Sequence, residues 1–337
     1  MKISYELFDL KRKYPFTISG HTFTSETTVY VKLEHEGVIG YGEAAPGYYF
    51  NETMDDFLRL ITTLDLNAFT DPFAIDEILA YTDNHAVGLT SAKAAVDIAL
   101  HDLCGKLSGK PCYSFFGVDP TTMPVTTFTI GIDTPDMIRK KVKEAIGFTR
   151  LKVKLGGPND KEIVDAIRSV SDLPLTIDAN QGWTEREQAL DMIHWLNERN
   201  TIFIEQPMPR DKWDDHAWLT EKSPLPIVAD EAMQRLHDVD KIKGAYHGLN
   251  IKMVKCTGMN EGFKIIQKAR QLGLKVMIGC MGESSVSILG AASIAPLCDW
   301  VDLDSCWLMA NNPYNDPELK DGKIVLSDQP GLGLVKK

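Results

Sequence analysis

Three segments of this chain run through apolar, β-rich sequence and stop on a carboxylate: Leu175-Thr176-Ile177-Asp178, Ile202-Phe203-Ile204-Glu205 and Ile227-Val228-Ala229-Asp230. Three carboxylates brought together cannot all stay ionised without compensating positive charge. A hard divalent cation with oxygen ligands supplies it, and Mg²⁺ is the expected ion. Taken singly, each acid reads equally well as a helix cap or a surface ion pair. Three in successive units favour a metal site.

Lys152 and Lys154 lie two residues apart, so on a strand they share a face. Neighbouring ammonium groups lower each other's pKa, which makes one of the two usable as a base. A third lysine, Lys252, ends Asn250-Ile251-Lys252, with Lys255 as the competing lysine just beyond it. Asp302 and Asp304 repeat the two-residue spacing with acids. The metal does not need them, so they are free to hold a substrate ammonium; the plainer reading is that they cap the following turn.

The elements that must position these groups are legible from residue 124 onward. Eight short apolar runs, at 126–130, 150–155, 173–178, 202–205, 227–230, 249–252, 275–278 and 300–303, alternate with amphipathic stretches such as 161–170, 186–197 and 261–272. This rhythm predicts a (β/α)8-type TIM barrel, whose chemistry sits at the C-terminal strand ends. In such a ring strand 2 faces strand 6 and strand 4 faces strand 8. Lys154 and Lys252 then flank a central substrate, with the metal on the arc between them. That set suits removal of a proton α to a carboxylate, metal stabilisation of the enediolate, and return of a proton from the other side. Two extended residues span roughly 7 Å, a reach from a metal-bound carboxylate to an ammonium at Asp302 and Asp304. The expected substrate is a dipeptide.

Residues 1–55 read as strands and turns, with 28–33 and 38–43 as a hairpin and 46–50 as a Gly/Pro-marked loop. Helical periodicity follows at 54–64 and 92–107, with Ser91 as an N-cap. The expected organisation is an N-terminal α+β capping domain over 1–120, the barrel over 121–311, and a tail over 312–337 that returns to the capping domain.

The 337 residues are 44% apolar and 25% charged, enough for a large core. A net charge of −11 argues against broad nucleic-acid or anionic-membrane binding. Six dispersed cysteines form no CxxC pair, which argues against a disulfide framework or a zinc cluster. No apolar run reaches membrane-span length, and the first ten residues lack the apolar core of a signal peptide. The expected setting is cytoplasmic, with a small-molecule partner; homo-oligomerisation is left open.

In combination, Lys152-x-Lys154, Asp178-Ala179-Asn180, Glu205-Gln206-Pro207, Ala229-Asp230-Glu231 and Asn250-Ile251-Lys252 resemble the enolase superfamily, in its muconate-lactonizing-enzyme subgroup. The resemblance covers essentially the whole chain, including Gly40-Tyr41-Gly42-Glu43-Ala44 and the helical 91–102. Asp302-Leu303-Asp304 is similar to the ammonium-binding pair of the dipeptide epimerases. The resemblance implies Mg²⁺-dependent 1,1-proton transfer at the C-terminal residue of L-Ala-D/L-Glu or a related dipeptide, in a role such as recycling cell-wall peptides. It places Cys280, Met281 and Gly282 along the substrate, brings Thr129 towards it, and makes Lys152 a support for the metal-bound carboxylate. It also implies that loops 17–25 and 48–53 close over the site. Relatives acting on acidic residues can carry an arginine in the first loop; this chain has none there, which leaves His21 as the cation. Cys256-Thr257-Gly258 departs from the family's usual Gly-Gly. An o-succinylbenzoate synthase, an N-succinylamino acid racemase or a muconate cycloisomerase would share the lysines and metal but have no use for the acidic pair. A Schiff-base lyase using Lys154 or Lys252, or a non-catalytic barrel, would have no use for the three carboxylates.

Overall fold

The computed structural model describes residues 1–18, 20–46 and 52–337. Strands β1 (Lys2–Ile18), β2 (His21–His35) and β3 (Val38–Ala44) form an antiparallel sheet in the order β1-β2-β3. The β2–β3 hairpin turns on Glu36 and Gly37, both at positive φ (51° and 78°), as a two-residue hairpin loop requires. β1 and β2 are also a hairpin, pairing Ile18 with His21. Most of 17–25, expected as a loop, is therefore strand, in keeping with its threonines and phenylalanine. Residues 47–51, which carry most of the other expected lid, lie outside the described residues.

The β1–β2 ladder slips once. Lys11 pairs with Ser25 and Phe16 with Phe23, so four residues of β1 oppose one of β2. A bulge of this kind bends its strand and re-aims side chains. It is pinned to the far end of the chain by Ala310 N–H on the Lys11 carbonyl (2.7 Å) and Lys11 N–H on Asn311 Oδ1 (2.7 Å).

Helices α1 (Met54–Thr63), α2 (Ile75–His85) and α3 (Thr90–Ser108) cover this sheet. α3 lies so close to β3 that a Cβ on Gly40 or Gly42 would strike the carbonyl of Ala99 or Ala95. Ser91, expected as the N-cap of α3, lies inside its first turn and donates to the Glu52 carboxylate; Leu89, at φ 50°, stands at the cap.

The barrel strands are β4 (Phe128–Ile130), β5 (Leu151–Lys154), β6 (Leu175–Asp178), β7 (Thr201–Glu205), β8 (Ile227–Ala229), β9 (Gly248–Lys252), β10 (Lys275–Gly279) and β11 (Trp300–Asp302), paired in parallel and in chain order. Each matches one of the eight expected runs to within two residues at either end. Between and after them run α4 (Pro135–Glu144), α5 (Asp160–Arg168), α6 (Arg186–Asn197), α7 (Trp213–Lys222), α8 (Val239–Ile242), α9 (Met259–Gln271), α10 (Ser285–Ala292) and α11 (Ser305–Leu308). Among the described residues no ladder joins β11 to β4. Side chains bridge that seam: Thr127 Oγ1 donates to Asp302 (2.6 Å), Thr129 N–H to Asp304 (2.5 Å), and Leu303 N–H to Thr126 Oγ1 (2.9 Å).

Strand alternation stacks two layers inside the barrel. Phe203, Val228 and Met277, with Trp300 against them, plug the N-terminal end. Two residues further along β7 and β11, and one beyond the end of β8, come Glu205, Asp302 and Asp230, in a charged layer.

Two buried acids fasten the capping sheet and helices to the barrel. Glu43 accepts from Ser284 N–H (2.9 Å) and Ser287 N–H (3.2 Å) at the start of α10. Asp97 accepts from Met259 N–H (2.9 Å) and Asn260 N–H (3.1 Å) at the start of α9. An anion there satisfies orphan donors and the helix dipole together. The chain ends with the hairpin β12 (Glu318–Lys320) and β13 (Lys323–Val325), then runs past α3, where Leu332 N–H donates to buried Asp102 (2.8 Å). No described helix is long and apolar enough to cross a membrane.

Candidate active site

Asp178 and Glu205 end β6 and β7, and Asp230 follows β8 directly, so neighbouring strands deliver one carboxylate each. Each offers an oxygen within 4.8 Å of the others, and all three are at most 2% exposed. The pocket holds more negative charge than its lysines balance, and the carboxyls record the excess. Burial and the Asp178 charge push Glu205 up to about 7. Burial and Asp230 push Glu231 up to about 8. Burial and Asp302 push Asp304 up to about 7. Asp178 goes the other way: burial would raise it, but Lys154 and Lys152 hold it down to about 2. Among the described residues, buried oxygens on Glu231, Asn180 and Asn250 have no hydrogen-bond partner, and Glu205 Oε2 has only its ion pair with Lys152. A hard divalent cation fits this donor set: it takes oxygen ligands and lets the acids ionise together.

Lys152 Nζ lies 2.6 Å from Glu205, 2.7 Å from Asp302 and 3.1 Å from Asp178. Burial disfavours its charge, but these three acids more than offset that and hold its pKa well above the usual lysine range. This reverses the depression expected from Lys154 beside it, because anions crowd Lys152 more closely than the second ammonium does. Lys154 Nζ meets Asp178 at 2.6 Å. Lys252 Nζ meets Asp230 Oδ2 at 2.7 Å and approaches Met281 Sδ at 3.9 Å. Lys255 spends its donors on Asp230 Oδ1, the Asp230 carbonyl and the Asn250 carbonyl, at 2.6–3.0 Å. Of these two, only Lys252 lines the central cavity.

That cavity encloses about 110 Å³. Lys152 and Lys154 of β5 face it, as does Lys252 of β9, four strands away. Thr129, Cys280, Met281, Gly282, Asp302 and Asp304 also line it, so nine of the thirteen site residues expected from sequence line the cavity, and Asp178, Glu205 and Asp230 lie directly behind it, ion-paired to Lys154, Lys152 and Lys252. His21 does neither. It sits exposed at the β1–β2 turn with its ring 4.8 Å from that of Phe23, because the hairpin register turns it out to solvent.

The cation over the cavity is Arg12. The β1 bulge places it there, 3.0 Å from Glu26, with its guanidinium over the rings of Phe16 (4.8 Å) and Phe23 (5.9 Å). Its Nε is buried and has no hydrogen-bond partner among the described residues. Burial raises the Glu26 carboxyl, and Arg12 offsets this only in part. Neither residue carries a sequence signal: the bulge that brings them over the barrel is a register slip between strands.

Comparisons with known proteins agree with this architecture. Residues 2–117 match the mandelate racemase / muconate lactonizing enzyme N-terminal domain, and residues 137–336 match the enolase C-terminal domain-like family. The chain is 50% identical to an L-Ala-D/L-Glu epimerase of Bacteroides thetaiotaomicron, over 100% of this chain and 88% of that protein. It is 38% identical to an L-Ala-D/L-amino acid epimerase of Pedosphaera parvula, over 99% of each. A dipeptide epimerase of Enterococcus faecalis, solved with Mg and L-Leu-L-Tyr, superposes with a TM-score of 0.89 at 32% identity, over 99% of this chain and 98% of that one. Two-domain architecture, carboxylate triad and whole-length identity lead to one assignment: the chain belongs to the mandelate racemase/muconate lactonizing enzyme family of the enolase superfamily.

Proposed function

We propose that this chain is a Mg²⁺-dependent dipeptide epimerase, inverting the α-carbon of the C-terminal residue of L-Ala-D/L-Glu or a related dipeptide. One observation carries the reading: Lys154 and Lys252 face a single cavity from opposite sides of the barrel, with the acid triad on the strands between them. A divalent ion held by Asp178, Glu205 and Asp230 supplies electrostatic stabilisation of charge that builds on the substrate carboxylate. Lys152 supports that carboxylate. Lys154 and Lys252 remove and return the α-proton on opposite faces, a contribution of roughly 10²–10⁴-fold for a positioned acid or base. Asp302 and Asp304 receive the peptide ammonium, which argues against superfamily substrates that lack one. Thr129 orients Asp304 through its backbone N–H, and the Cys280-Met281-Gly282 segment walls the side of the substrate.

Arg12 favours an acidic second residue. Its Nε, without a hydrogen-bond partner among the described residues, offers a donor to a side-chain carboxylate. A small-molecule substrate, a cytoplasmic setting and a role in recycling cell-wall dipeptides accord with the net charge of −11 and the resemblance to the Bacteroides enzyme.

The test is incubation with Mg²⁺ and a panel of L-Ala-L-X dipeptides in D₂O, followed by mass spectrometry. Each inverted dipeptide gains one mass unit, and L-Ala-L-Glu is expected to gain fastest. Bound metal with no gain on any dipeptide overturns the assignment.

A further inference from the structure

One buried side chain ties together the segments that carry the three acids. Gln206 follows Glu205 directly, is fully buried, and does not line the central cavity. Its Oε1 accepts from Asp230 N–H (3.0 Å) and Ala232 N–H (3.2 Å), just beyond β8. Its backbone carbonyl accepts from Gln181 N–H (2.9 Å), just beyond Asp178, and its own N–H donates to the Val228 carbonyl (2.9 Å). Asp178, Glu205 and Asp230 are thus linked through one residue, by a covalent bond to Glu205 and hydrogen bonds to the other two segments.

The amide is held from its other side as well. Gln206 Nε2 donates to the Met208 carbonyl (3.0 Å) and to the Tyr246 hydroxyl (3.1 Å). The buried His216 ring lies 3.4 Å from that nitrogen, its centroid 4.6 Å from that of Tyr246. Two N–H donors on one side and two oxygens on the other allow a single orientation of the amide. Both lone pairs of Oε1 are engaged, so Gln206 is not itself a further metal ligand. The backbone agrees: φ is 37° at Gln206, 42° at Asn180 and 67° at Gln181, all just beyond an acid. Left-handed backbone is unfavourable for residues with a Cβ and persists where surrounding bonds over-determine it. We propose that Gln206 is the positioning residue of the metal site, setting the spacing of the three carboxylates while Tyr246 and His216 hold its amide. This rests on the metal-site reading above.

The experiment titrates Mg²⁺ into substrate-free wild type, Gln206→Met and Tyr246→Phe by calorimetry, and measures the melting temperature of each in chelator. Partners that orient metal ligands without touching the ion are worth about 10–100-fold in affinity, so Gln206→Met is expected to raise the Mg²⁺ Kd by that factor. Tyr246→Phe leaves both donors on Oε1 and is expected to raise Kd by a smaller factor. A residue that only packs would lower the melting temperature in chelator and leave Kd unmoved. That outcome in Gln206→Met overturns this inference and leaves the metal reading standing. If Gln206→Met shows no cooperative melting, Tyr246→Phe decides, and an unchanged Kd there overturns the inference. A wild type that binds no Mg²⁺ overturns the metal reading as well.

Discussion

Arg12 Nη2 and Glu26 Oε2 lie 3.0 Å apart in the space that a side chain on Gly282 would fill. Gly282 sits just beyond β10, so two strands of the capping sheet and a barrel loop meet at the central cavity through an ion pair and a missing Cβ. Removing the arginine should cost binding more than turnover. Arg12→Met is expected to raise KM for L-Ala-L-Glu about 10–100-fold, the worth of a hydrogen bond to a charged group, with kcat changed much less. Gly282→Ala should shift the same pair and move KM in the same direction. Steady-state kinetics against L-Ala-L-Glu and L-Ala-L-Leu checks both, since loss confined to the acidic dipeptide is the expected pattern.

The proposed pair of bases, Lys154 and Lys252, makes a stereochemical prediction. Lys252→Ala should abolish inversion, lowering it by at least about 10²-fold, while Lys154 still exchanges the α-hydrogen of the epimer it faces. Lys154→Ala should give the mirror result. Deuterium uptake measured separately from the L,L and L,D dipeptides reads this directly, and equal loss of exchange from both epimers in both variants would refute the two-base arrangement.

Metal and stability are linked. A ligand present at about 100 times its dissociation constant, and bound only by the folded chain, adds about 2.7 kcal/mol. Mg²⁺ should therefore raise the melting temperature of the wild type, and chelation should reverse the shift together with activity. Glu205→Gln and Asp230→Asn remove part of the charge the ion answers, so both should lose the Mg²⁺-dependent shift in differential scanning calorimetry.

Glu283 gives a pH prediction of defined sign. Burial first, and the Glu43 charge second, push its carboxyl up to about 8. A carboxyl raised in the folded state contributes its stability below the unfolded pKa and loses it as pH climbs through the folded value. The loss therefore runs from about pH 4.5 to about pH 8. Glu283→Gln cannot ionise, so its melting temperature should exceed that of the wild type at pH 8.5 and approach it at pH 5.

The barrel was legible because its strands are short apolar runs, several of them ending in a charged residue, as in Ile202-Phe203-Ile204-Glu205. Period two then fixed which residues share the interior, and eight units fixed which strands oppose. That logic brought Lys154, Lys252 and the acid triad together before any coordinates. Arg12 and His21 mark where it stops. Their places depend on a slip in strand register near Lys11 and on a hairpin where a loop was expected, and no local periodicity encodes either. Ser91 failed as a cap for a related reason: the Glu52 carboxylate, nearly forty residues away, claims its hydroxyl. Tertiary partners overrode a local preference.

Asp102 is fully buried near the middle of α3, and it accepts N–H bonds from Tyr41 and Leu332 (2.8 Å each) and an ion pair from Lys106 (2.6 Å). Its two backbone donors are separated by almost the whole chain. One donor lies 61 residues before the acid and the other 230 residues after it, so the capping helix completes its hydrogen bonding only when a segment beyond the barrel has folded back onto it.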